Sequence, residues 1–207
     1  MKPWLFDILA CPIDKYFPLE LYIFSYDTEL EEFKNFLNVY KLRDVDFIKK
    51  EEIIKIYKEG ESIYINDGIV LEKSSLNEYM ELILSSIDEF NFIHDNSTNQ
   101  LSELCFNLIK NEVKKNLMEY SKNLGADQIE NLTPELFFIN KIKLEVEIDS
   151  GLLLCPKCKR WFPIIDTIPQ MLPDEYRNKN QELEFLKTNK NLLNDKFFKQ
   201  DLKPFNI

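Results

Sequence analysis

Two short turns near opposite ends of the chain carry the side chains best suited to chemistry, Cys11-Pro12-Ile13-Asp14 and Cys155-Pro156-Lys157-Cys158. A C-x2-C turn offers two sulfurs from one tight loop, and zinc favours a tetrahedral shell of thiolate, imidazole or carboxylate. One such pair is half of a structural site. Cys11 and Asp14 share its spacing and are the candidates for the other half, so Cys11, Asp14, Cys155 and Cys158 are expected to meet at one site, with zinc as the favoured metal. A shell of three Cys and one Asp is chemically allowed but less common than four Cys. The alternative stays open in which the turns keep their geometry without metal, or in which the thiols pair as a disulfide, as hyperthermophile proteins do.

Other chemistry finds little support. A redox C-x-x-C places its first Cys at a helix N-terminus, whereas β-like runs flank Cys155 and Cys158 on both sides. Cys105 lies on the apolar face of a helical pattern and reads as a buried, inert thiol. His94, the single histidine, stands in a polar stretch with no motif partner for a triad. The many carboxylates read as solvated helix faces. Gly60, Gly68, Gly125 and Gly151 are the only glycines and match neither the dinucleotide nor the P-loop spacing, so no S-adenosylmethionine or nucleotide site is expected on this chain alone. An enzyme using a metal-bound water would need an open coordination position and a nearby base, and the sequence marks neither.

The composition bounds the rest. With 207 residues and 44% hydrophobic content the chain can bury a sizeable core. A net charge of -10 argues against a primary nucleic-acid binder, which leaves nucleic acid to be reached indirectly, through a partner. No run approaches the roughly 18 apolar residues of a membrane span, and Asp7 interrupts the start before a signal-peptide core can form. A cytoplasmic protein with no membrane contact is expected. Without a secretory signal, Asn96-Ser97-Thr98 and Asn131-Leu132-Thr133 carry no weight as glycosylation sites.

The elements that must position the two turns follow from periodicity. Residues 3–9 read as a short helix presenting Leu5, Phe6, Ile8 and Leu9, and residues 17–26 as an aromatic, β-branched strand. Leu30, Phe33, Phe36 and Leu37 recur at helical spacing, and Ile53, Ile54 and Tyr57 predict another short helix. Asn66-Asp67-Gly68 between two apolar runs predicts a hairpin turn. Residues 75–90 and 100–124 read as helices, the second stopping at Gly125. Residues 142–149 alternate strictly and read as a strand that Ser150-Gly151 turns; residues 152–155 and 161–165 then flank the second Cys turn as a hairpin, and residues 178–198 read as a polar helix or tail. The apolar run Ile164, Ile165, Ile168, Met171 and Leu172 is broken by Pro169, whose missing N–H suits an edge strand that can add to a partner's sheet.

The segments Leu9-Ala10-Cys11-Pro12 and Phe17-Pro18-Leu19, and above all Leu154-Cys155-Pro156 through Ile168-Pro169-Gln170-Met171-Leu172, resemble the archaeal and eukaryotic methyltransferase-activator family, whose ribbon short bacterial relatives share. The resemblance covers residues 1–26 and 142–176. It implies a zinc-ribbon-like protein that does no chemistry itself. Such a protein stabilises and activates S-adenosylmethionine-dependent methyltransferases that act on tRNA, ribosomal RNA or translation release factor, as mutually exclusive heterodimers. Docking would run through residues 168–172 and apolar ribbon residues, here Leu5, Ile8, Leu9, Phe17, Ile164, Ile168, Pro169, Gln170, Met171 and Leu172. The chain departs from the family at Asp14, where a second N-terminal Cys is usual.

The resulting expectation is an α+β protein: a small zinc-ribbon-like β domain of residues 1–26 and 142–176, an inserted, mainly helical domain of residues 27–141, and a C-terminal helix or tail of residues 177–207. The competing reading is a free-standing zinc ribbon that binds nucleic acid or transcription machinery, which the acidic balance weakens.

Overall fold

A computed structural model describes residues 1–122 and 126–206. In chain order its helices are α1 (Pro3–Phe6), α2 (Leu30–Leu42), α3 (Val45–Lys50), α4 (Leu76–Asp88), α5 (Gln100–Leu108), α6 (Lys114–Lys122), α7 (Thr133–Leu144), α8 (Lys179–Thr188) and α9 (Asp195–Phe198). The strands are β1 (Glu20–Tyr26), β2 (Lys55–Glu59), β3 (Ser62–Asn66), β4 (Ser74–Ser75), β5 (Ile93–Asp95), β6 (Ile148–Leu154), β7 (Trp161–Ile165) and β8 (Ile168–Pro169). The protein is of mixed α+β class and divides into two compact units. One comprises Met1–Asp27, Phe92–Gln100 and Glu147–Ile207; the other comprises Thr28–Asn91 and Leu101–Val146.

The first unit is built on a five-stranded sheet of order β5-β1-β6-β7-β8. β1 pairs with β5 in parallel; the pairs from β1 to β8 are antiparallel. Alternation along the strands gives the sheet two apolar faces. On one, Tyr22 and Phe24 of β1, Leu152 and Leu154 of β6 and Trp161 of β7 pack against Leu186 of α8, Phe197 of α9 and the buried Leu193 and Leu202. The segment read as a polar helix or tail therefore carries an apolar stripe that covers this face. α8 and α9 start where Asn178 and Asn194 accept hydrogen bonds from N–H groups of their first turns.

Several local expectations are corrected. Gly151 lies inside β6 and is no turn: a Cβ there would stand 2.6 Å from the backbone oxygen of Tyr22, so only glycine allows the two strands to approach. Ile142 and Leu144, read as strand, end helix α7 instead. Their alternation with Lys141 and Lys143 imitates a half-wet strand, but both lysines are buried: Lys141 pairs with Glu51 and Glu145, and Lys143 lies over the Phe90 ring. α7 is a central helix of the second unit, buried on all sides from Thr133 to Lys143, and so shows no polar face in its sequence.

The short helix expected around Ile53–Tyr57 lies earlier, at α3, which Asp44 caps by accepting from the Phe47 N–H; Tyr57 belongs to β2. The β2–β3 hairpin turns at Gly60, whose φ is 63°, and Asn66-Asp67-Gly68 opens the longer connection from β3 to its antiparallel neighbour β4. Asp67 is buried, accepting from the Ile69 and Val70 N–H groups, the Tyr79 hydroxyl and the Asn140 amide. The helix read over residues 100–124 runs as α5, a π turn (Ile109–Val113) and α6. Its buried Cys105, Ile109, Val113 and Leu117 recur every four residues, a spacing that drifts around a 3.6-residue helix, and the wider turn absorbs the drift. The stop read at Gly125 lies outside the described residues. Strand β1 starts at Glu20 rather than residue 17, and α1 ends at Phe6. Among the described residues no helix is long and apolar enough to cross a membrane.

Candidate metal centre and docking edge

The two Cys turns of the first unit have one backbone design. The Cys11 N–H donates to the Tyr16 carbonyl and the Lys15 N–H to the Cys11 carbonyl, and Lys15 has φ 58°. In the second turn the Cys155 N–H donates to the Arg160 carbonyl and the Lys159 N–H to the Cys155 carbonyl, with Lys159 at φ 61°. Each turn closes on its first Cys and is released by one left-handed residue four positions later. Cys11 matches Cys155, and Asp14 matches Cys158.

This geometry brings together the four side chains singled out by their spacing. Their ligand atoms all lie within 4.8 Å of one another. The Sγ atoms of Cys11 and Cys158 are 3.7 Å apart, and Asp14 Oδ1 and Oδ2 are 3.6 and 3.8 Å from Cys155 Sγ. Thiolates about 2.3 Å from a tetrahedral zinc stand roughly 3.8 Å apart, whereas a disulfide needs about 2.05 Å. All four cysteines are free thiols. The donor set, its spacing and its half-buried position fit a metal ion, and the cluster could hold one.

The electrostatics differ across the site. Burial pushes the Cys11 thiol up to about 12, against the pull of the Asp14 and Ile13 N–H groups. Burial also raises Cys155. At Cys158 burial acts upward but is outweighed by the Arg160 N–H and guanidinium, so this thiol is held below its ordinary value. Burial likewise works to raise Asp14, yet hydrogen bonds from Cys11, the Tyr16 N–H and Cys155, with the charge of Lys157, hold it low. Arg160 is itself fixed by Asp174, at 2.9–3.2 Å. Motif reading missed Arg160 because its role depends on Asp174 and on where its guanidinium points, which spacing does not encode.

The expected docking residues are placed as follows. Ile8 is 67% exposed and Ile168 59%; Phe17 and Leu172 are also exposed, while Leu5, Leu9, Pro169, Gln170 and Met171 are half-buried. Ile164 is fully buried in the unit's own core. Trp4, Ile13 and Tyr176 are exposed apolar residues of the same unit that the sequence did not single out; Ile165, part of the apolar edge run, is exposed and pairs directly with Ile168. β8 is the last strand of its sheet, and Ile164 and Ile165 of β7 pair with Pro169 and Ile168 on its inner side. Of the remaining candidates, Cys105 is buried and pushed up to about 12 by that burial, and His94 stacks on Tyr22 at 4.6 Å.

The model of the Trm112p-like protein family matches residues 2–166. Neither the curated proteins nor the solved structures yield a match to the chain.

Proposed function

The chain belongs to the Trm112p-like protein family, and from that premise we propose that it is the non-catalytic, activating and stabilising subunit of S-adenosylmethionine-dependent methyltransferases that modify tRNA, ribosomal RNA or translation release factor. The family implies a methyltransferase-activating subunit in general, an activator rather than a catalyst. Our reading adds the substrate classes, a cytoplasmic setting and several enzymes competing for one surface as alternative heterodimers. It also takes the first unit as a zinc-ribbon-like domain made by the chain ends and the second as an insertion. S-adenosylmethionine is then held by the partner.

The observation that supports docking through β8 is its exposed apolar edge. A sheet edge left in water is an aggregation liability unless something covers it, and main-chain pairing with a partner strand is the direct cover. In the metal site, Cys11, Asp14, Cys155 and Cys158 would hold zinc, which would supply a cross-link between the two turns and no reaction. Affinity purification of the full chain from its native host tests the proposal. An S-adenosylmethionine-dependent methyltransferase should be enriched by the parent and lost with Ile168→Glu. Enrichment that is equal for both chains, or absent, counts against it.

A further inference from the structure

Beside the docking edge lies a groove of about 410 Å³, lined by Asp149, Ser150, Ile165, Asp166, Gln181, Glu184, Phe185, Thr188 and Asn189. Its floor is apolar. Phe185 is half-buried, packs against the covered sheet face and tilts toward Phe24 at 6.1 Å between centroids. Its rim is anionic. Asp149 accepts from the Ser25 hydroxyl at 2.9 Å, while Asp166 and Glu184 have no hydrogen-bond or ion-pair partner among the described residues. Five of the nine lining residues belong to α8 and the residue after it, beyond residues 2–166 that the family model matches.

We propose that this groove is a specificity pocket of the docking surface, and that it receives an arginine side chain presented by the methyltransferase. The proposal rests on the activator reading. Ile165 and Ile168 are directly paired across β7 and β8 and so share a face. A partner strand that covers Ile168 therefore meets Ile165, and a long side chain reaching inward across that pair enters the groove. Arginine fits its chemistry better than lysine. Its planar fork can engage two carboxylates, its flat face can lie on Phe185, and interface hot spots are enriched in it. Asp166 is held at the tight β7–β8 turn, where Asp166 and Thr167 both have positive φ and the Thr167 N–H donates to the Asp149 carbonyl. The backbone of both aspartates is thereby fixed, and the Asp149 side chain is also held by the Ser25 hydroxyl. β8 and α8 both lie beyond the matched residues 2–166; β8 would then supply the edge, while α8 supplies the choice of partner.

The test has two arms on the full chain. In the first, the peptides Ac-Val-Thr-Arg-Val-Thr-NH2 and Ac-Val-Thr-Glu-Val-Thr-NH2 are titrated to 10 mM and followed by amide NMR shifts. The arginine peptide should saturably move the signals of Ile165, Asp166 and Glu184, the glutamate peptide should not, and Glu184→Lys should lose the response. No saturable shift, or equal shifts with both peptides, overturns the proposal. In the second arm, capture of a methyltransferase by the parent is compared with capture by Asp166→Lys/Glu184→Lys, two exposed positions, with circular dichroism as the check on folding. At least tenfold weaker capture is expected, and unchanged capture overturns the groove while leaving the β8 edge standing. If the parent captures no methyltransferase, the activator reading fails, and the peptide arm alone decides the groove.

Discussion

The sulfur atoms of Cys11 and Cys158 stand 3.7 Å apart, although 147 positions separate the two residues in the chain. A thiol pair at this distance, with Asp14 and Cys155 completing the group, is what a tetrahedral metal requires of its ligands. Gently purified protein is expected to carry about one zinc per chain by elemental analysis. Cys158→Ser should lower zinc affinity at least tenfold in competition with a chromophoric chelator, and Asp14→Cys should raise it, because a fourth thiolate suits zinc better than a carboxylate. Chelation should lower the melting temperature, since a ligand that binds only the folded state stabilises it. Metal-free protein with unchanged melting after zinc addition would show that the turns hold their shape unaided.

The proposed docking through β8 makes a separate prediction. Met171→Glu and Ile168→Glu should each abolish co-purification with a methyltransferase, because a charge then faces an apolar partner strand. Lys114→Glu on α6 should leave it nearly unchanged, and lose only the ion pair with Asp88. Circular dichroism must confirm that all three chains fold. If folded Ile168→Glu binds like the parent, the interface lies away from β8.

The meeting of Cys11, Asp14, Cys155 and Cys158 was legible in the sequence, because each turn is a local object: two residues between its polar side chains fix the turn, and two such turns need only meet. β7 was legible for the same reason. Gly151 was not, since its reason is the backbone of Tyr22 on a neighbouring strand, which local sequence does not display. α7 misled because burial on every side erased the polar face by which a helix is recognised. The C-terminal segment was read as polar because its apolar stripe, Leu186, Leu193 and Phe197, is carried by two short helices and their link, too little for a clear period.

The glycines should rank by what surrounds them. Gly151→Ala would place Cβ 2.6 Å from a backbone oxygen and 3.3 Å from Ile164 Cδ1 in the middle of the sheet. Neither strand can yield without breaking its ladder, so a loss of about 2–4 kcal/mol is expected. At Gly68 the nearest atom is the end of the Leu144 side chain, 2.2 Å away, which can rotate aside. Gly68→Ala should therefore cost about 1–2 kcal/mol. Urea melts of the two variants check the order, and equal losses would mean that the β1–β6 approach is softer than its geometry implies.

The last prediction concerns pH. Burial pushes the Cys105 thiol up to about 12 from an ordinary value near 9. The folded chain therefore holds this proton more tightly than the unfolded chain. Its contribution is fully present below about pH 9 and is lost as pH rises from there toward 12, with a slope of at most about 1.4 kcal/mol per pH unit. Buried Tyr79, raised by burial and by Asp67, acts in the same direction, so the slope must be assigned by difference. Cys105→Ala should be less stable than the parent by about 1 kcal/mol at pH 7, where it has lost only buried contact. At pH 10.5 the gap should close or reverse, because the variant has no thiol to ionise on unfolding. In the metal-free chain, iodoacetamide at pH 8 should reach Cys158 first, as the half-buried thiol held low beside Arg160, and Cys105 only on unfolding. A gap between the two melting profiles that stays constant from pH 7 to pH 10.5 would mean that Cys105 meets water in the folded state.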